Sequence, residues 1–438
     1  MRRFGVAVVA CAAAGSVALT AHGGGTSARR LPLHSLRSET PHLVAIVEGR
    51  GRYRLARVAP LTSRTTRTSA WKIGAPWGWV ISPGGRSVAV AACRHKCSSF
   101  ALRFGSVATL HWEPGTVPLD AGFYAGLWPR PDRLYALVGG DTTLALDTVD
   151  PRTRRIVARE PLAGQLMQIA RSADTLVVLA GTFNTIAPAR LLVVDSDGTV
   201  RSLTVPRILA GTHYDTKSQD LIGTTNLPGL AVDPTSGTAY LIDPSGLVAS
   251  VDLANLSVAY HQLGSDSLLT RIAGWLTPPA EAKGTNGSTL SAQWLGKGLI
   301  AVAGTQGTVT AQVDSYRPSG LRIVDTRNWS VRMLDQRADS FMIADGLLVT
   351  TGTRSSYGDS ARVHGEGLAA YGPRGSLRWR LKGLGQQIYL VWAYRSLALV
   401  DAKGTPRLID LESGRVMRES SPPGLLLGPG SPTAPGSY

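Results

Sequence analysis

Seven times along this chain a short strand closes in a tight turn and is followed at once by a strongly apolar strand. The pairs are "WVISPGGR" (79–86) with "SVAVAAC", "LWPRPDR" (127–133) with "LYALVGG", "IARSADT" (169–175) with "TLVVLAG", "LAVDPTSG" (230–237) with "TAYLID", "WLGKG" (294–298) with "LIAVAG", "FMIADG" (341–346) with "LLVTTG", and "LVWAYRS" (390–396) with "LALVDA". A third strand then ends near an aspartate and a tight turn returns a fourth, as in "LLVVDSDGTVRSL", "VASVDLANLSVAY", "LRIVDTRNWSVRML" and "LIDLESGRVMRE". Helical periodicity is nearly absent, so the chain reads as all-β. A four-strand unit recurring every ~40 to 50 residues cannot bury its faces alone, and stacking such units radially makes a β-propeller with one blade per unit.

The stretch "LVAIVEGRGRYRLARVAPLTSRTTRT" (43–68) adds one more set of second, third and fourth strands but lacks an opening strand. "GLLLGPGSP" (424–432) resembles the opening strand-and-turn of the other units. A C-terminal strand completing the N-terminal blade would remove the open edges of the ring. The expected fold is therefore an all-β propeller of eight four-stranded blades over 42–432, with seven as the alternative if the first set packs differently. At 438 residues, 43% hydrophobic and 17% charged, the chain has enough apolar material for such a core.

Before the repeats, Arg2-Arg3 and an apolar run from Phe4 to Ala21 read as an export signal over 1–21, cut after Ala18 or Ala21. A lipoprotein box at Val8–Cys11 and an uncleaved N-terminal anchor are the alternatives. A basic linker follows at 22–41, and 433–438 is a tail. The expected location is secreted or attached to the cell envelope. In an oxidising compartment Cys93 and Cys97 of "CRHKC" most simply form a local disulfide; a metal set with His95 matches no standard zinc spacing. From Arg29 to Lys72 there are ten basic residues against two acids, half of the formal +16 in a tenth of the chain. Outside the cytoplasm such a segment faces anionic envelope polymers rather than nucleic acid, although arginines decorating solvated strand faces account for it slightly better.

The turn "LIDLESGRV" (408–416) resembles the tryptophan-docking repeat of pyrroloquinoline-quinone dehydrogenases, roughly Ala-x-Asp-x-x-Thr-Gly-x-x-x-Trp. Asp410, Ser413 and Gly414 match its Asp, Thr and Gly, while Arg418 stands in place of the Trp. In the preceding unit Ala369, Gly375 and Trp379 fit, whereas Tyr371 and Arg374 do not. The unit is also similar to YVTN-type surface-protein and lactonase propellers. An Asp that accepts turn amides and a Gly at positive φ specify a hairpin. The quinone cofactor also requires vicinal cysteines, a calcium site and a catalytic Asp, and the chain has no adjacent Cys pair. The resemblance implies the fold without the cofactor, and no cofactor is expected.

In a propeller blade, the second-to-third connections and the blade-to-blade connections open on one face. That face carries the elaboration: "GTFNTIAPA" (181–189), "GTQGTVTAQVDSYRPSG" (304–320), "GTRSSYGDSARVHGEG" (352–367), and long connections at 206–228 and 264–293, the last with a predicted covering helix in "SDSLLTRIAGWLTPP". Their polar residues form the candidate binding set: His213, Tyr214 and Asp215; Asp314, Tyr316 and Arg317; Arg354, Tyr357, Asp359 and His364, with Arg362 and Glu366 beside them. Tyrosines among Arg, Asp and His suit recognition of a protein, peptide or glycan. No GxSxG, HExxH, Walker or Rossmann signature occurs, and no catalytic residue is assigned. The expected function is a monomeric binding module or scaffold. The alternative is a lactonase-like or hydrolase-like enzyme whose metal would be held by His213, Asp215, His364 and Glu366.

Overall fold

The computed structural model describes residues 43–427 except 49–52, 60–63, 71–72, 95–98, 141, 173, 216–221, 265–284, 310–313, 358–360, 373, 383–387, 395, 403–404 and 419–424. The export signal, the linker, the tail, the predicted covering helix, Cys97 and Asp359 lie outside the described residues, as does most of the basic Arg29–Lys72 segment. The described chain is all-β with a single 3-10 turn at Pro83–Gly85, and it is a β-propeller. Among the described residues no helix is long and apolar enough to cross a membrane.

Five sheets stand alone as blades. The N-terminal one orders Arg64–Thr68, Tyr53–Ala59, Leu43–Glu48 and, from the far end of the chain, Leu425–Leu427. The last strand pairs antiparallel with the first through Val44↔Leu427, Ala45↔Leu426 and Ile46↔Leu425, the closure expected from "GLLLGPGSP". The other separate blades start at Ala75, Gly122, Gly229 and Ile388. The remaining strands do not form separate blades. They are joined in a single fourteen-stranded sheet that contains three further four-strand sets, starting at Gln165, Thr285 and Ser340. The fusion arises because segments expected to be loops continue as strands past the blade edge and pair with one another.

Hydrophobic residues account for the radial arrangement. Seven buried clusters each join two sets that are neighbours in sequence: Ile46 and Leu55 with Trp79 and Val88, Phe104 with Leu134, Leu137 with Val178, Leu191 with Leu241, Val248 with Ile300, Ile323 with Leu348, and Val349 with Val400. Because successive side chains of a strand point to opposite faces, each set between the first and the last feeds two clusters. Each fully buried Leu or Val adds roughly 1.5 to 3 kcal/mol.

Polar contacts fix how neighbouring sets dock. In the last set, Asp410 accepts the Glu412 amide at 3.0 Å and the Ser413 hydroxyl at 2.8 Å. Gly414 at φ 71 lies against the Trp379 ring of the preceding set, where a Cβ would come within 2.6 Å of the indole. The Trp379 Nε1 donates to the Leu411 carbonyl at 2.7 Å, so this turn does receive a docking tryptophan. Tyr371, the departure from the motif, donates its hydroxyl to Asp335 Oδ2 of the preceding set at 2.8 Å and accepts from Arg380 at 2.7 Å. Near the centre, the buried Gln168 donates to the Leu290 carbonyl and accepts the Leu230 amide at 2.8 Å, tying the opening strands of three successive sets.

Candidate functional site

The elaborated rim is a crown of paired β-hairpins. The strand Val200–Asp215 runs 16 residues, and its outer part pairs antiparallel with Ile222–Leu227. Ile222–Leu227 pairs parallel with Thr285–Gly296, which pairs along its length with Leu299–Val309. Leu299–Val309 then pairs with Asp314–Pro318, that strand with Leu347–Tyr357, and Leu347–Tyr357 with Arg362–Tyr371. These hairpins extend the second-to-third and set-to-set connections, which open on one face of the ring.

A Gly-Thr dipeptide marks the point where three second strands leave their blades: Gly181-Thr182, Gly304-Thr305 and Gly352-Thr353. At Gly304 a Cβ would collide with the Thr289 carbonyl, and at Gly352 with the Arg337 carbonyl, so only glycine lets the crossing backbones approach. This repeated dipeptide was the available sequence signal that the connections were not loops.

Pleat alternation sorts the candidate residues onto two faces. Asp314 lies opposite Tyr357 and Tyr316 opposite Ser355, so Asp314, Tyr316 and Tyr357 share one face. The Tyr316 and Tyr357 rings sit edge to face at 6.2 Å, and the Tyr316 ring covers Gly307. Burial raises the Asp314 carboxyl above its usual range, and burial together with the Asp314 charge raises the Tyr316 phenol. The other face carries Arg317 opposite Gln306, Arg354 opposite His364 and Arg362 opposite Ser356. Arg317 Nε donates to Gln306 Oε1 at 3.3 Å, and Arg354 pairs with Glu366 at 2.7 Å. The crown between residues 306 and 364 thus has a tyrosine face and a basic face.

The candidate set does not converge as a whole. His213 lies on Val200–Asp215, with its Nδ1 3.1 Å from the Asn184 carbonyl, six strand spacings along the crown from His364. At about 4.8 Å per spacing that is about 29 Å measured along the sheet. Tyr214 and Asp215 lie on the same strand as His213. Among the described residues no group of three or more His, Cys, Asp or Glu side chains could hold a metal. The shared metal site imagined for His213 and His364 is therefore not assembled.

Two features of this rim escaped sequence reasoning because they depend on packing between distant strands. Asp339 accepts the Thr353 amide at 2.6 Å, and burial, aided by the Glu366 charge, pushes its carboxyl up to about 7. At the foot of the basic face, a cleft of about 40 Å3 lies between the sets that start at Gly229 and Thr285. Gln306, Ser319 and Arg322 line it together with the apolar Leu290 and Val324.

The sequence matches no protein-family model and no curated protein. Among solved structures, the dihydro-heme d1 dehydrogenase NirN in complex with DHE is similar over 86% of this chain and 72% of its own, at 12% identity and a TM-score of 0.50. BamB from Moraxella catarrhalis is similar over 77% of this chain and 86% of its own, at 12% identity and a TM-score of 0.42. Apo AztD from Citrobacter koseri is similar over 87% of this chain and 94% of its own, at 10% identity and a TM-score of 0.44. The likeness is one of fold: the chain shares the β-propeller architecture.

Proposed function

We propose that this chain is an exported propeller of eight blades that binds a protein, peptide or glycan partner through its hairpin crown. The observation that carries this reading is the crown itself. A scaffold needing no partner has no use for a paired β-surface that segregates Asp314, Tyr316 and Tyr357 from Arg317, Arg354, Arg362 and His364. Eight blades are supported by five separate sheets, three sets within the fused one, and seven inter-set clusters. The quinoprotein-like and YVTN-like character rests on the Asp410 turn and its docking tryptophan. A Cys93–Cys97 disulfide belongs to the same proposal, with Cys93 on the strand Ser87–Arg94. Attachment to anionic envelope material through the basic Arg29–Lys72 segment belongs to the same proposal, with an envelope or secreted location.

Site-specific photo-cross-linking in producing cells tests the contact face. A photoreactive phenylalanine analogue replaces Tyr357 on the crown or Asn255 on the opposite rim. Adducts to a discrete partner from position 357 and none from 255 support the proposal. Equal labelling from both, or labelling from 255 alone, overturns it.

A further inference from the structure

The cleft at the foot of the basic face has the chemistry of a small anion site. Arg322 and Ser319 line it. The Arg322 guanidinium donates to the Ser319 carbonyl at 2.7 Å. Burial pulls this guanidinium down to about 10, which still leaves it a cation at neutral pH. Ser319 is 4% exposed, and among the described residues its hydroxyl has no hydrogen-bond partner although it lines the cavity. An orphaned buried hydroxyl costs about 1 to 3 kcal/mol unless something in the cavity meets it.

Gln306 stands at the cleft wall and is bonded to Arg317, so the arginine-bearing face of the crown leads into the cavity. Asp243 also lines the cleft, but its Oδ1 is engaged by the Ser245 amide at 2.8 Å within its own turn. The volume of about 40 Å3 has room for about three water-sized groups, which is the heavy-atom count of a carboxylate. A carboxylate accepts from both a guanidinium and a hydroxyl, and a guanidinium binds it with two parallel bonds. The apolar walls at Leu290 and Val324 suit the carbon that bears it.

We infer that this cleft binds a carboxylate, with Arg322 and the Ser319 hydroxyl as its direct partners. It goes beyond the crown as a contact face, because it names a separate subsite and its ligand chemistry.

Saturation-transfer NMR on the intact protein tests this with acetate and its neutral isostere acetamide. Saturable transfer to acetate, at least tenfold weaker transfer to acetamide, and at least tenfold loss in Arg322→Gln are expected. Ser319→Ala, which keeps the charge and leaves the backbone bond in place, is expected to weaken acetate several-fold. Equal transfer to the two probes in wild type, or no transfer to acetate, overturns the inference even if Arg322→Gln fails to fold. A folded Arg322→Gln that binds acetate as wild type does overturns it as well. N-acetylglutamate α-amide and N-acetyl-diglycine with a free C-terminus then separate the two sources, an acidic side chain or a chain end, by which competes better with acetate. Because acetate needs no partner, its failure leaves the cross-linking result at Tyr357 untouched, and the reverse holds equally.

Discussion

Restoring the repeat motif at Tyr371 is expected to damage this protein. Tyr371 stands where the recurring aspartate would be, so a consensus view of the turn predicts that Tyr371→Asp is neutral or stabilising. The structure predicts the opposite. The phenol is 3% exposed, and its hydroxyl joins Asp335 at 2.8 Å and Arg380 at 2.7 Å across two sets. Tyr371→Phe removes only that hydroxyl, and losing a bond to a charged acceptor costs about 2 kcal/mol. Tyr371→Asp empties an aromatic-sized space, which alone costs about 3 to 5 kcal/mol, and it brings a second carboxylate towards the buried Asp335. Denaturant unfolding at neutral pH measures both variants against wild type. In heating, a ring of about 380 residues that unfolds as one unit loses only about 2 to 3 °C for the phenylalanine change, so the denaturant midpoint is the better readout. A Tyr371→Asp protein as stable as wild type would refute the inter-set role of the tyrosine.

Other perturbations follow the same logic. Asp339 has its carboxyl raised from an ordinary 3.8 to about 7, so the folded state holds the proton more tightly; its contribution makes stability fall as pH rises from about 4 to about 7, then stay level. Asp339→Asn should remove that slope, read as the difference between denaturant midpoints at pH 5 and pH 7.5 for the two proteins. Arg159→Met should cost about 3 to 5 kcal/mol in the same assay, because Asp147 is fully buried and Arg159 holds it through two bonds of 2.5 and 2.8 Å. A cysteine pair at Val44 and Leu427, which are register partners in the closing ladder, should cross-link on mild oxidation and raise the midpoint; a pair that stays reduced would argue against closure by the chain ends.

Much of the fold was legible because the propeller repeats its instructions. Apolar second strands, Asp-containing turns and the leftover "GLLLGPGSP" each named a place in the ring. The closing strand could be expected because the first set visibly lacked one. The crown was harder to read. Polar, glycine-containing stretches such as "GTRSSYGDSARVHGEG" carry no alternating apolar signal, because neither face of a rim hairpin is buried in the core. Their strand character comes from ladder bonds to neighbouring hairpins. Tyr316 and Tyr357 were singled out as loop residues and prove to be cross-strand neighbours, while His213 and His364 were grouped by residue type and lie far apart along the sheet. Arg322, Ser319 and Gln168 were invisible, since their roles depend on strands from other sets.

Hydrogen exchange followed by mass spectrometry on the free protein tests the crown most directly. Amides of 305–309, 314–317, 353–357 and 362–365 lie in the paired ladders of the structure, so they should exchange slowly and open together, and Gly352→Ala should speed all of them while sparing the N-terminal blade. Complete exchange of these segments within seconds in the unmodified protein would mean that the rim carries loops instead of a paired surface, and the proposed contact face would be lost with it.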